Sequence, residues 1–350
     1  MRIALHLFLY AFTLTAQHAK AATETREREA ALTEVQAKAT DKIETPALRQ
    51  RIRGTLIATR PVGGIVATDI ATLAETPLRV ANTGLAAVNG LSEDDDAGRV
   101  LFVTSGRALH REYLVQQLVG GNEQILFSRS GDPLWDHALS GIALAPSGGM
   151  AAFVSQTAEK LEKRFQLLTE GPLCLWDSTS GSIRDTGVSA LGDRPSWFPD
   201  GRRVAYATTT ADSGANAPVV RILDTSTGES SLLAAGRLPV VSSDGRSVLV
   251  ARGRNVELIL VDVTSGNERT LRRTGGLGTP IALVDSRYLI YKGKTTAGGP
   301  SGITEHNSPL VGPKAMMAIK LMDIQTAQFT TLIPLIDPRY AITARAYAME

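Results

Sequence analysis

The chain has 350 residues, enough for one large β domain or two ordinary domains. Hydrophobic residues make up 43% and charged residues 21%, which excludes wholesale disorder. Without residues 1–21, which hold Arg2 and Lys20 and no acid, basic and acidic residues both number 35, so no net field steers the surface toward nucleic acid or anionic lipid.

The chain opens with Arg2, an apolar run from Ile3 to Ala16, and the small-x-small triplet Ala19-Lys20-Ala21. This is the pattern of a cleaved signal peptide over residues 1–21. The apolar run is shorter than the roughly 20 residues that a spanning helix needs. The expected location is therefore periplasmic or secreted. Residues 22–50 read as a charged leader, helical or disordered, with Thr23 to Leu32 favouring helix and Pro46 stopping it. The single cysteine, Cys174, permits no intramolecular disulfide, and its neighbours Leu173 and Leu175 point to a buried strand thiol.

From residue 51 to 350 the pattern becomes short apolar runs separated by turn residues, with 32 glycines in the chain. The clearest unit runs from Pro195 to Tyr206, a strand, a tight turn and a second strand. Pro199 presets φ, Asp200 bonds the following backbone, and Gly201 accepts positive φ. Copies run from Ile142 to Phe153 and from Pro239 to Val250, where Asp244-Gly245 makes the turn. Asp96 to Phe102 is a looser copy, and Asp285 to Tyr291 keeps the strand but loses the glycine. Turn glycines Gly98, Gly148, Gly201 and Gly245 are separated by 50, 53 and 44 residues, close to one propeller blade. A second signature alternates with the first. Asp224-Thr225-Ser226-Thr227-Gly228 ends one strand and opens another, as do Asp177 to Gly181, Asp262 to Gly266 and Asp323 to Ala327.

The two signatures together resemble the TolB-type propeller repeat, with its Trp-x-Pro-Asp-Gly-Arg turn followed by an Asp-x-x-Thr-Gly turn. The resemblance covers roughly residues 85–333 and implies an exported, protein-binding propeller. TolB itself has a separate domain before its propeller, and residues 22–50 are too short for one. The expected fold is all-β: a β-propeller of four-stranded antiparallel blades, six by count with seven as the alternative. Residues 52–82 supply strands for one further blade, with Tyr340 to Ala344 available to complete it and close the ring.

Two insertions interrupt the repeat. In Glu159 to Leu168, the spacing of Leu161, Phe165 and Leu168 fits a helical stripe, and an elongated hairpin fits equally. The second insertion, Lys292 to Lys314, is rich in Gly and Pro. Insertions on a rigid scaffold are where binding residues concentrate, which makes Lys294, Glu305, His306 and Asn307 candidates, with His137 at the channel mouth.

No linear motif carries chemistry. Gly-x-Ser-x-Gly is absent, His110, His137 and His306 have no zinc-site spacing, and Gly293-Lys294-Thr295 lacks the first glycine of a phosphate loop. Asp94-Asp95-Asp96 lacks the spacing of a calcium loop and reads as a solvated turn. The repeated Asp residues are explained by turn geometry rather than catalysis. No cofactor and no metal is expected. The reading is a non-enzymatic exported scaffold for a protein or peptide. The alternative is a propeller-class enzyme of lyase, lactonase or cyclotransferase type, with a channel site assembled from several blades. Carbohydrate binding would need exposed aromatics, whereas Trp176 and Trp197 occupy repeat positions that favour the core.

Overall fold

The computed structural model describes residues 46–60, 64–79, 88–92, 98–106, 111–118, 123–130, 138–156, 158–161, 164–167, 170–210, 217–253, 257–271, 279–294, 317–326, 328–336 and 341–349. Runs dense in Val, Ile, Leu, Thr and aromatics become strands, and the Asp, Gly and Pro residues between them become turns. A short helix, α1 (Pro46–Arg49), leads into β1 (Ile52–Thr59), β2 (Ile65–Asp69) and β3 (Glu75–Arg79). Then follow β4 (Val88–Leu91), β5 (Arg99–Gly106), β6 (Arg111–Leu118) and β7 (Glu123–Ser130). The next stretch holds β8 (Ala138–Leu144), β9 (Met150–Gln156), β10 (Ala158–Leu161), β11 (Arg164–Leu167), β12 (Glu170–Asp177) and β13 (Ile183–Leu191). After it come β14 (Ser196–Trp197), β15 (Arg203–Thr210), β16 (Ala217–Asp224) and β17 (Ser230–Ala235). Next are β18 (Arg237–Val241), β19 (Ser247–Arg252), β20 (Glu257–Asp262) and β21 (Glu268–Thr270). The last are β22 (Thr279–Val284), β23 (Tyr288–Lys294), β24 (Met317–Asp323), β25 (Phe329–Ile336) and β26 (Ile342–Ala348).

Five four-stranded antiparallel sheets follow chain order: β4 to β7, then β8-β9-β12-β13, then β14 to β17, β18 to β21 and β22 to β25. One more four-stranded sheet is composite, in the order β26-β1-β2-β3, with Ile52 to Ala58 of β1 paired to Ala348 to Ile342 of β26. The expected six or seven repeats thus resolve into five contiguous blades and one sheet built from the two ends of the described chain. No seventh four-stranded sheet occurs among the described residues. The helix-or-hairpin alternative at Glu159 to Leu168 resolves as the separate hairpin β10-β11.

Each sheet buries both faces against its neighbours, so the apolar residues sort into layers between sheets. Leu173 and Leu175 on β12 face Trp197, Val204 and Tyr206 of the next sheet. Cys174 and Trp176, one residue out of phase, face Leu101 and Val103 of the preceding one. Equivalent layers join β14–β17 to β18–β21, β18–β21 to β22–β25, β22–β25 to the composite sheet, and the composite sheet to β4–β7. The layers therefore form a cycle, and β26 carries the contact that closes it. Each fully buried Leu, Ile or Phe in these layers is worth about 1.5–3 kcal/mol.

One local expectation changes. Cys174 is half-buried rather than buried; it lies on the opposite side of β12 from the buried Leu173 and Leu175. Pro46 begins α1, and the expectation that it stops a helix over Thr23 to Leu32 falls on residues outside the described set. A proline is tolerated in the first helical turn, where its missing N–H has no intrahelical partner anyway. Leu48 of α1 is buried in the layer that joins β22–β25 to the composite sheet, so the end of the leader is docked. The signal-peptide reading and most of the leader, residues 1–45, lie outside the described residues.

Candidate functional site

The meander topology separates two ends of the ring. In each contiguous sheet the first-to-second and third-to-fourth connections lie at one end. The second-to-third connection and the entry from the preceding sheet lie at the other. The parallel bridge between Ser242 and Leu283 shows that neighbouring inner strands run the same way, so equivalent connections share an end.

The turn end holds both repeat signatures, and there they bond to each other. In four sheets the residue after the second-signature Asp donates its N–H to a carbonyl of the first turn. These bonds are Ser178 to Gly149 (2.9 Å), Thr225 to Arg202 (3.0 Å), Val263 to Arg246 (2.9 Å) and Ile324 to Arg287 (2.8 Å). Asp200 Oδ1 accepts the N–H groups of Arg202 and Arg203 at 2.9 and 3.0 Å. Pro199 packs beside Gly245, where an added Cβ would lie 3.2 Å from its Cδ. Asp224 Oδ1 accepts from Ser226 and Thr227, Asp244 from Arg246, and Asp262 from Thr264 and Ser265. Gly201, Gly228, Gly245 and Gly266 all have φ between 65 and 76°. The copy that lost its glycine keeps the turn by placing Asp285 and Ser286 at φ 46 and 54°, a conformation few side chains adopt.

The two signatures are also linked by charge. Arg202 pairs with Asp224 at 2.8 Å, and Arg287 with Asp323 at 2.9 Å. The Arg202 guanidinium and the Ser226 hydroxyl hold Asp224 far below the usual carboxylate range. Burial acts to raise Asp323, but Arg287 and the N–H groups of Gln325 and Thr326 outweigh it and leave the carboxyl lowered. The repeated carboxylates are thus engaged by their own turns.

The opposite end carries what breaks the repeat. There β9 leads into the β10-β11 hairpin, and β23 ends at Lys294, paired with Met317, before the connection at 295–316. Inner strands β8, β14, β18, β22 and β26 begin at this end, and neighbours among them pack on one another. Just before β14, Asp193 and Arg194 reach toward the axis. The Asp193 carboxylate is buried and takes two hydrogen bonds from Arg237 of β18, from Nε at 2.9 Å and Nη2 at 2.5 Å. It also accepts the Leu238 N–H at 3.3 Å. This carboxylate raises Arg237 above its ordinary value, while half of the Arg237 side chain stays exposed. Gly141 of β8 lies so close that an added Cβ would sit 2.4 Å from the Asp193 carbonyl oxygen.

Arg194 goes further. Its Nη2 donates to the Ile281 carbonyl on β22 at 3.1 Å, and its Nη1 donates to the fully buried Thr343 hydroxyl on β26. Sheets β14–β17 and β26-β1-β2-β3 stand on opposite sides of the cycle, so this guanidinium lies across the axis.

Of the residues singled out in the sequence, Lys294 closes β23 at this end, and its side chain is outside the described set. Glu305, His306, Asn307 and His137 lie outside the described residues, as do His110 and Asp94 to Asp96. Sequence reasoning missed Asp193, Arg194 and Arg237. The available signal was Asp193-Arg194-Pro195, two opposite charges directly ahead of a core strand. Among the described residues, no three His, Cys, Asp or Glu side chains come together as a metal-binding group. No helix among them is long and apolar enough to cross a membrane.

A scan of protein-family models finds no match, and a search of curated proteins finds none either. Solved structures do match. TolB from Acinetobacter baumannii aligns with TM-score 0.56 at 12% identity, over 89% of this chain and 69% of that one. A putative TolB from Agrobacterium tumefaciens gives 0.52 at 15%, over 85% and 99%. A chain of a nidogen/laminin complex gives 0.55 at 13%, over 83% and 98%. At these identities the likeness speaks to fold, and it agrees with the repeat signatures: the chain is a TolB-like β-propeller.

Proposed function

We propose that the chain is exported and acts as a non-enzymatic scaffold, binding another protein or a peptide at the loop end of the ring. The observation that carries this reading is Arg194. It lies across the axis at that end, where an axial catalytic pocket would need open space, and leaves the rim and its insertions as the available surface. The turn end supports the same choice, because its repeated carboxylates are engaged by their own turns. The nidogen/laminin neighbour is a propeller of similar shape solved in a complex with another protein. The export half of the proposal rests on the pattern of residues 1–21. The enzyme alternative would place its site elsewhere along the channel.

Deletion of residues 295–312 is the test, with partner capture from the native envelope and thermal unfolding measured on the same protein. Lost capture with an unchanged unfolding temperature supports the proposal. Retained capture, or loss of the fold, overturns the assignment of recognition to this insertion.

A further inference from the structure

Asp193 and Arg194 together touch five of the six four-stranded sheets. They lead into β14, back onto Gly141 of β8, hold Arg237 of β18, and reach Ile281 on β22 and Thr343 on β26. The last contact falls on the composite sheet. A ring of sheets can open without breaking the chain only where one sheet is assembled from two distant segments. Here that seam is the β1-β26 ladder of Ile52 to Ala58 with Ala348 to Ile342.

We propose that Asp193-Arg194 is an axial latch: the ring opens first at the β1-β26 seam, and Arg194 holds β26 shut from the opposite side. Thr343 is 0% exposed, so its hydroxyl oxygen cannot turn to water, and the charged donor on Arg194 satisfies it. Asp193 serves as the positioning residue. Its carboxylate is anchored by Arg237 and the Leu238 N–H, and its backbone sits against Gly141, which fixes where Arg194 begins. When β26 is the strand that swings out of the seam, the Arg194–Thr343 contact breaks, so the latch opposes that motion specifically.

Native-state hydrogen exchange on the full chain tests this with R194A and T343V, the latter keeping the shape of Thr343 and removing the acceptor. In R194A, amides of β1 and β26 should exchange roughly ten- to a hundredfold faster, while β4–β7 and β14–β17 stay at wild-type rates. T343V should show the same pattern with smaller amplitude. Should R194A fail to fold, T343V alone decides. Unchanged exchange at β1 and β26, or equal acceleration in all six sheets, overturns the proposal.

Discussion

Gly54 offers a sharp test of the composite sheet. It sits in β1 at φ 145°, and an added Cβ would lie 2.1 Å from the Arg345 carbonyl oxygen and 2.6 Å from the Ala346 Cα of β26. Both obstacles are backbone, so neither can move without shifting the ladder. The φ alone costs an alanine about 1–3 kcal/mol, and forcing a methyl into a filled space costs about 1–3 kcal/mol more. The sum for G54A is roughly 2–6 kcal/mol, which in a protein of this size lowers the unfolding temperature by about 3–8 °C. G228A is the control. It also has positive φ, at 76°, but meets nothing within 4 Å, so it should cost only about 1–2 kcal/mol. Calorimetry on both variants reads the difference. If G54A unfolds no lower than G228A, β26 does not approach β1 at Gly54 and the closure described here is wrong.

Two further outcomes follow from charge. The turn carboxylates Asp177, Asp262 and Asp323 lie below the ordinary 3.8, so they contribute stability that is complete above that value and is lost as pH falls through their folded-state values. The unfolding temperature should stay flat down to about pH 5 and drop below about pH 4, and the deficit of D262N at neutral pH should vanish in strong acid; a deficit that grows in acid would contradict this. Lys320 is 4% exposed, its ammonium lies 5.2 Å from the Phe329 ring centroid, and burial lowers its pKa. K320M should therefore raise stability by about 1 kcal/mol, and a loss measured by denaturant titration would show that the ammonium is better solvated than its burial indicates.

The repeat was legible because local chemistry dictates it. Asp200-Gly201 and Asp224 to Gly228 make their hydrogen bonds within a few residues, so the same letters mark the same turn wherever they recur. The Asp285-Ser286 turn shows the limit. There the neighbouring strands impose a backbone that the letters do not favour. The axial cluster was illegible for a different reason. Arg194 meets residues 87 and 149 positions away, and nothing near Asp193 in sequence announces Arg237 as its partner. The hairpin at Ala158 to Leu167 carried both strand and helix spacing, and pairing decided it.

The most direct test of binding at the loop end is site-specific photo-crosslinking in the native envelope, comparing the two ends of one folded protein. Probes at exposed Ala217 and Thr279 report on the loop end, and probes at exposed Thr227 and Ser265 report on the turn end. One protein adduct is expected from Ala217 and Thr279 and none from Thr227 and Ser265. Adducts from the turn-end pair alone would contradict binding at the loop end.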